Sequence, residues 1–75
     1  MRINVTIIGP MNLIFKGEAE SVILPGDRGV FEVLPFHKRM LTRLLKGVID
    51  VDGRVFEILR GAAKIDQNNV TIIVE

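Results

Sequence analysis

The sequence predicts an all-β sandwich or small barrel, and three observations lead to this prediction. Short segments rich in β-branched residues alternate apolar and polar positions, which is the pattern of half-buried strands. Clusters of Gly, Pro, Asp and Asn separate these segments at regular intervals. The chain has 75 residues, 48% of them hydrophobic, so it supports one domain with one core. Together these features predict roughly six or more short strands.

The composition excludes several classes of protein. The absence of cysteine excludes a disulfide scaffold and a Cys-based zinc site. The net charge is only +1, and the apolar fraction is too high for a disordered chain. No uncharged apolar run approaches the roughly 20 residues of a transmembrane helix. Because residues 2–6 alternate instead of forming an apolar block, we expect no signal peptide.

The amino-terminal half contains three predicted extended segments. Ile3, Val5 and Ile7 share one face of the first, which Gly9-Pro10 ends. A second stretch is predicted over residues 12–24, with a bulge or bend at Gly17. Residues 25–29 form a turn cluster, and a short strand over residues 30–34 follows it.

Residues 36–47 fit two interpretations. Apolar residues recur there at helical spacing, and Gly47 suits a helix end. They are Met40, Leu41, Leu44, Leu45 and Val48. A two-turn helix is one prediction; a short strand or a single turn that lays Leu41, Leu44 and Leu45 against the core is the other.

The carboxy-terminal half is predicted to be a meander. Asp52-Gly53 favours a two-residue hairpin that pairs Val51 with Arg54 and Ile49 with Phe56. A second turn at residues 66–69 precedes a last strand over residues 70–74. Several of these strands are apolar on both faces, so we expect part of that surface to meet a partner. The outward apolar residues are Val48, Val55, Leu59 and Ile73.

The chain offers little material for catalysis. His37 is the only imidazole, and no nucleophile–base set, phosphate loop or paired metal ligands can be assembled, so we expect no catalytic residue, metal or cofactor. Basic residues cluster in one stretch without acids: Lys38, Arg39, Arg43 and Lys46. This cluster could bind nucleic acid, an anionic membrane or an acidic protein, or it could be a solvated face. Nucleic acid is the weaker interpretation, because the total charge is small and no aromatic residue interrupts the cluster.

One segment resembles a known family. Residues 24–37, Leu-Pro-Gly-Asp-Arg-Gly-Val-Phe-Glu-Val-Leu-Pro-Phe-His, are similar to a segment of the epsilon subunit of F-type ATP synthases. Residues 15–17, 41–48, 61–65 and 69–72 also match family patterns, in order and at the family's spacings. The resemblance therefore covers almost the whole chain.

The resemblance implies a fold and a function. The family's amino-terminal domain is a flattened β-sandwich, so we expect about eight to ten short, mostly antiparallel strands, and a strand rather than a helix over Met40–Lys46. It implies a non-catalytic rotor subunit that grips the gamma subunit and contacts the c-ring, coupling proton transport to ATP synthesis. It further implies peripheral association with the cytoplasmic face of a bacterial plasma membrane. The alternative function is a small β-barrel that binds nucleic acid through the basic stretch.

The resemblance also implies roles for individual residues of this sequence. The expected c-ring contacts are Asp27, Arg28 and Val30. The expected gamma contacts are His37, Leu41 and Thr42. The expected framework positions are Leu24, Pro25, Gly26, Gly29, Phe31, Leu34, Pro35 and Gly47.

The chain also departs from the family. Glu32 and Phe36 replace glycines, Lys38-Arg39 replaces a usual Ala-Pro, and Val30 stands where many members have a polar residue. Residues 1–75 are expected to form one domain, without the helical hairpin that follows it in most members. Either a naturally short form or a truncated sequence explains this, and inhibition by the hairpin is expected to be absent.

Overall fold

The computed structural model describes all 75 residues and consists of nine β-strands. Their bounds are β1 Ile3–Ile8, β2 Leu13–Ala19, β3 Val22–Gly26, β4 Gly29–Val33, β5 Met40–Leu44, β6 Gly47–Val51, β7 Arg54–Ile58, β8 Gly61–Asp66 and β9 Asn69–Val74. The prediction of an all-β fold with about eight to ten short strands is confirmed. No helix in the structure has the length and apolar character needed to traverse a membrane.

The strands form one strongly curled sheet in the order β2-β1-β9-β8-β5-β3-β6-β7, and β4 pairs with β3 outside this path. Every pairing is antiparallel except that of β1 with β9. The two ends of the path meet through aromatic side chains, because the Phe15 ring of β2 lies 5.6 Å from the Phe56 ring of β7. The Arg54 guanidinium lies 5.5 Å from the centre of the Phe15 ring. The curled sheet is therefore closed on itself by side chains rather than by backbone hydrogen bonds.

The core occupies the inside of this curl and contains 16 buried hydrophobic residues and no buried polar ones. The alternation predicted for the first and last strands is confirmed. Ile3, Val5 and Ile7 are buried, whereas Ile73, on the opposite face of β9 from Ile72, is 58% exposed. Period-two patterning thus decides which face of each strand lies inside.

The prediction of one stretch over residues 12–24 is wrong, because two strands occupy it. Gly17 pairs with Val5 in regular register, so it is not a bulge. The irregularity lies instead between Ile7 and Ile8. The bend between β2 and β3 is held by Asp52, whose carboxylate accepts the amide hydrogens of Glu20 and Ser21 at 3.0 Å. A contact between residues more than 30 positions apart, and not a local glycine, makes this corner.

The helical interpretation of residues 36–47 is wrong, because β5 is a strand, as the other interpretation predicted. Its placement of three leucines against the core is correct only for Leu44, since Leu41 and Leu45 are exposed. Leu41 and Arg43 point outward, while Leu44 between β3 and β8 is fully buried. Pairing of all five residues with β8 supplies the backbone hydrogen bonds that a helix would otherwise provide. The tertiary setting overrides the apolar spacing of the isolated segment.

The β6–β7 hairpin has the predicted register, with Val51 opposite Arg54 and Ile49 opposite Phe56. Asp52 and Gly53 have φ of 51° and 90°, as the tight turn requires. The Asp50 carboxylate also accepts the Gly53 amide hydrogen at 2.6 Å. The inward face is buried, and the outward residues Val55 and Leu59 are more than half exposed.

Candidate partner-binding surface

An open cleft of about 430 Å³ lies between the β3–β4 turn and β5. Its lining residues are Asp27, Arg28, Gly29, Val30, Phe31, Met40, Leu41, Thr42 and Arg43. The expected c-ring contacts and two of the three expected gamma contacts therefore line a single cleft. The family resemblance places them in two separate regions, and they are more than ten positions apart in the chain.

The first wall of the cleft is the tip of the β3–β4 hairpin. Gly29 has a φ of 122°, a conformation that L residues rarely adopt, which explains why glycine occupies this turn. A Cβ on Gly26 would lie 2.7 Å from the Phe31 ring, so the ring packs directly over the backbone. These two glycines allow the turn to project Arg28 and Val30 outward; Val30 is 73% exposed.

The second wall is β5. The Leu41 side chain points away from the core and is 78% exposed, and Thr42 beside it is half-buried. The two walls are joined by a hydrogen bond in which the Asp27 amide donates to the Arg43 carbonyl at 3.1 Å. A second bond joins the Leu45 amide to the Pro25 carbonyl at 2.8 Å. The cleft is consequently a fixed feature of the backbone.

His37 lies at one end of this surface, after a tight turn. The His37 amide donates to the Leu34 carbonyl at 3.2 Å, with Pro35 and Phe36 at the two central positions. Phe36 has a φ of 67°, which with proline before it identifies a type II turn. The Phe36 amide donates to Asn68 Oδ1 at 2.7 Å, which ties the turn to the β8–β9 connection.

The imidazole of His37 is oriented by two contacts. Its ring centre lies 6.4 Å from that of Phe31, which lines the cleft. Its Nδ1 lies 2.8 Å from the Lys38 carbonyl oxygen, and since a carbonyl only accepts, this bond places a proton on Nδ1. Through Phe31, the third expected gamma contact is adjacent to the other two.

The expected framework residues occupy varied environments. Leu24, Pro25 and Gly26 are buried, and Phe31 packs against the core. A Cβ on Gly47 would lie 3.0 Å from the Pro25 ring. Leu34 differs, because it is 49% exposed. Its backbone carbonyl accepts the His37 amide hydrogen in the turn. Pro35 is half-buried in the same turn.

The basic stretch is not a uniform cationic surface. Arg39 forms a salt bridge with Asp66 at 3.2 Å, whereas Arg43 lines the cleft. Lys38 and Lys46 are exposed. Elsewhere, a hydrogen bond from Arg60 to Glu75, reinforced by the carboxylate charge, raises the pKa of Arg60. The structure contains no cluster of three or more side chains suited to hold a metal ion.

A second surface is apolar and exposed. The register aligns Leu13, Ile8 and Ile73 across three neighbouring strands, on the face opposite the core. All three are more than one-third exposed. The expected surplus of apolar surface is therefore present, here and around Val55 and Leu59 of the hairpin.

Comparison with protein families assigns the fold. The family model for the "ATP synthase, Delta/Epsilon chain, beta-sandwich domain" matches residues 2–75. The chain is 41% identical to an ATP synthase epsilon chain of Campylobacter fetus, over 97% of its own length and 60% of that relative. It is 35% identical to that of Campylobacter concisus, over 99% and 61%. The chain spans about three-fifths of these relatives.

Solved structures have the same fold. A chain of the Euglena gracilis mitochondrial ATP synthase, solved as OSCP/F1/c-ring, superposes with a TM-score of 0.88 at 20% identity, over 97% of this chain and 50% of that one. A chain of the Tetrahymena thermophila enzyme, solved as central stalk/c-ring, gives 0.82 at 14% identity, over 99% and 63%. With the family match over nearly its whole length, the chain belongs to the ATP synthase delta/epsilon chain β-sandwich domain family.

Proposed function

We propose that this domain is a non-catalytic clamp in the central stalk of a bacterial F-type ATP synthase. In this role it binds the gamma subunit and rests on the c-ring, and so helps transmit torque between proton transport and ATP synthesis. The expected location is peripheral, at the cytoplasmic face of the plasma membrane. Inhibition by a helical hairpin is not part of the activity that we propose for these residues.

The observation that carries the proposal is the convergence of two predicted contact sets on one cleft. Asp27, Arg28 and Val30 project from the hairpin tip, and Leu41 and Thr42 lie on the facing strand. We assign the hairpin tip to the c-ring and the β5 wall, with His37, to gamma. Because the Asp27–Arg43 hydrogen bond joins the walls, a force on the tip is transmitted directly to β5.

The closed sheet supports a mechanical role. Its core is wholly apolar, and its free ends are joined by the Phe15–Phe56 contact. A tightly packed interior of this kind resists deformation. A clamp requires such stiffness, and it requires exposed apolar surface for its partner, which Leu41 provides at 78% exposure.

Co-purification tests the proposal. The tagged domain, mixed with its cognate gamma subunit at micromolar concentration, is expected to retain gamma on the affinity resin. The domain alone is expected to hydrolyse no ATP. Failure of the folded domain to retain gamma would overturn the assignment.

The nucleic-acid alternative has a separate test. Binding through the basic stretch would appear as a fluorescence-polarisation change that weakens steeply with salt. We expect no binding of single-stranded or duplex oligonucleotides even at low salt, since Arg39 is paired with Asp66. A steep salt slope would favour the alternative instead.

A further inference from the structure

Phe36 occupies a backbone position whose conformation favours glycine. It is the third residue of the type II turn formed by Leu34, Pro35, Phe36 and His37, and its φ is 67°. That position requires a positive φ, which glycine adopts freely and a bulky side chain adopts only with strain. The three other non-glycine residues with positive φ are Asp52, Gln67 and Asn68, all polar residues in two-residue hairpin turns.

The Phe36 ring makes no packing contact with the core that would offset this strain. The Phe36 side chain is 73% exposed and is not among the hydrophobic residues packed against the core. The hydrogen bond from its amide to Asn68 Oδ1 involves only the backbone of Phe36, so glycine would make it equally well. A large apolar side chain in this conformation is therefore unexplained by folding.

The position of the ring is next to the proposed gamma surface. Phe36 immediately precedes His37, whose imidazole is tilted toward the Phe31 ring of the cleft, with ring centres 6.4 Å apart. The bond from the His37 amide to the Leu34 carbonyl closes the turn, and the Phe36 amide is itself tied to Asn68, so the ring is presented from a fixed backbone. Rigidly held aromatic residues at the centre of an interface commonly supply much of its binding energy.

We propose that the Phe36 ring is an anchor that inserts into an apolar pocket of the gamma subunit. The inference rests on the proposed function and extends its contact surface to a residue outside the expected gamma set. Strained backbone conformations collect at binding and catalytic sites, which is the general basis for this step. The ring adds binding energy in the complex at the expense of stability in the free domain.

Two readouts that move in opposite directions test the anchor. Phe36→Gly removes both the strain and the ring, so its melting temperature should rise by about 4 °C or more. Its affinity for the cognate gamma subunit should fall at least tenfold. Phe36→Ala keeps a Cβ at positive φ and lacks the ring, so it should lose affinity similarly with a smaller rise in melting temperature.

Met11→Ala is the matched control. Met11 is 93% exposed and follows the carboxyl end of β1. Phe36 lies near the opposite end of that strand, because Asn68, which accepts its amide hydrogen, also accepts that of Asn4. This variant should change neither the affinity nor the melting temperature. If the wild-type domain binds gamma and Phe36→Gly binds it equally well, the anchor is overturned and the proposed function stands. If the wild-type domain itself does not bind gamma, the proposed function fails.

Discussion

Two residues outside the cleft hold distant backbone segments through side-chain oxygens that accept amide hydrogens. Asp52 fixes the corner between β2 and β3, and Asn68 fixes the turn before His37. Both are themselves in tight turns with positive φ, where Asp and Asn are favoured for local reasons. Their second role, across more than 30 positions of sequence, is invisible in the sequence pattern.

Gly29→Ala tests the backbone requirement at the hairpin tip. At a φ of 122° an alanine is strained, so we expect the free energy of unfolding to fall by about 1–3 kcal/mol. Denaturant unfolding followed by far-UV circular dichroism is suitable, because the chain has no Trp or Tyr for fluorescence. Arg28→Ala, in the same exposed turn at negative φ, should change stability by less than about 0.5 kcal/mol. Equal effects of the two substitutions would contradict this account.

Asp52→Gly tests the corner. Glycine tolerates the φ of 51° but leaves the Glu20 and Ser21 amides without their acceptor, and we expect a loss of about 1–2 kcal/mol. Gln67→Gly is the matched control, since Gln67 has a φ of 49° and its side chain makes no hydrogen bond. That variant should be as stable as the wild type or slightly more so. A wild-type unfolding midpoint for Asp52→Gly would show that the carboxylate does not hold the corner.

At the scale of elements, the sequence predicts those features whose determining contacts are local and does not predict those that depend on distant strands. The β6–β7 hairpin is predictable in register, because Asp52-Gly53 and the flanking alternation lie within one short segment. The local pattern alone does not predict β5, because its leucines fit both a helix and a strand until β8 supplies backbone partners. The cleft is likewise unpredictable, since the contact that joins its walls, from Asp27 to Arg43, depends on how distant strands assemble.

The closure of the sheet gives an element-scale prediction. Phe15 on β2 and Phe56 on β7 join the two ends of the strand order, and their ring centres are 5.6 Å apart. A double-mutant cycle with Phe15→Leu and Phe56→Leu should give a coupling energy of about 0.5–1.5 kcal/mol in unfolding experiments. Additive effects of the two substitutions would indicate that the ends of the sheet are energetically independent.

At the scale of the molecule, the domain combines a wholly apolar core with apolar surface that its own chain does not cover. The family match accounts for the fold, and the cleft between the β3–β4 turn and β5 brings the two proposed contact sets together. The central claim is that the β5 wall binds gamma. Leu41 is its most direct probe, because its side chain is 78% exposed and its replacement leaves the core intact.

The decisive measurement is a titration of the cognate gamma subunit with the wild-type domain and with Leu41→Asp, checked for folding by circular dichroism. The wild type should form a one-to-one complex with a Kd of about 1 μM or tighter. Leu41→Asp should remain folded and bind at least about tenfold more weakly, because a charge is then buried against the partner. Met11→Asp, a charge placed at a remote exposed site, should bind as the wild type does. Equal affinity of Leu41→Asp and the wild type, or no complex with the wild type, would contradict the account.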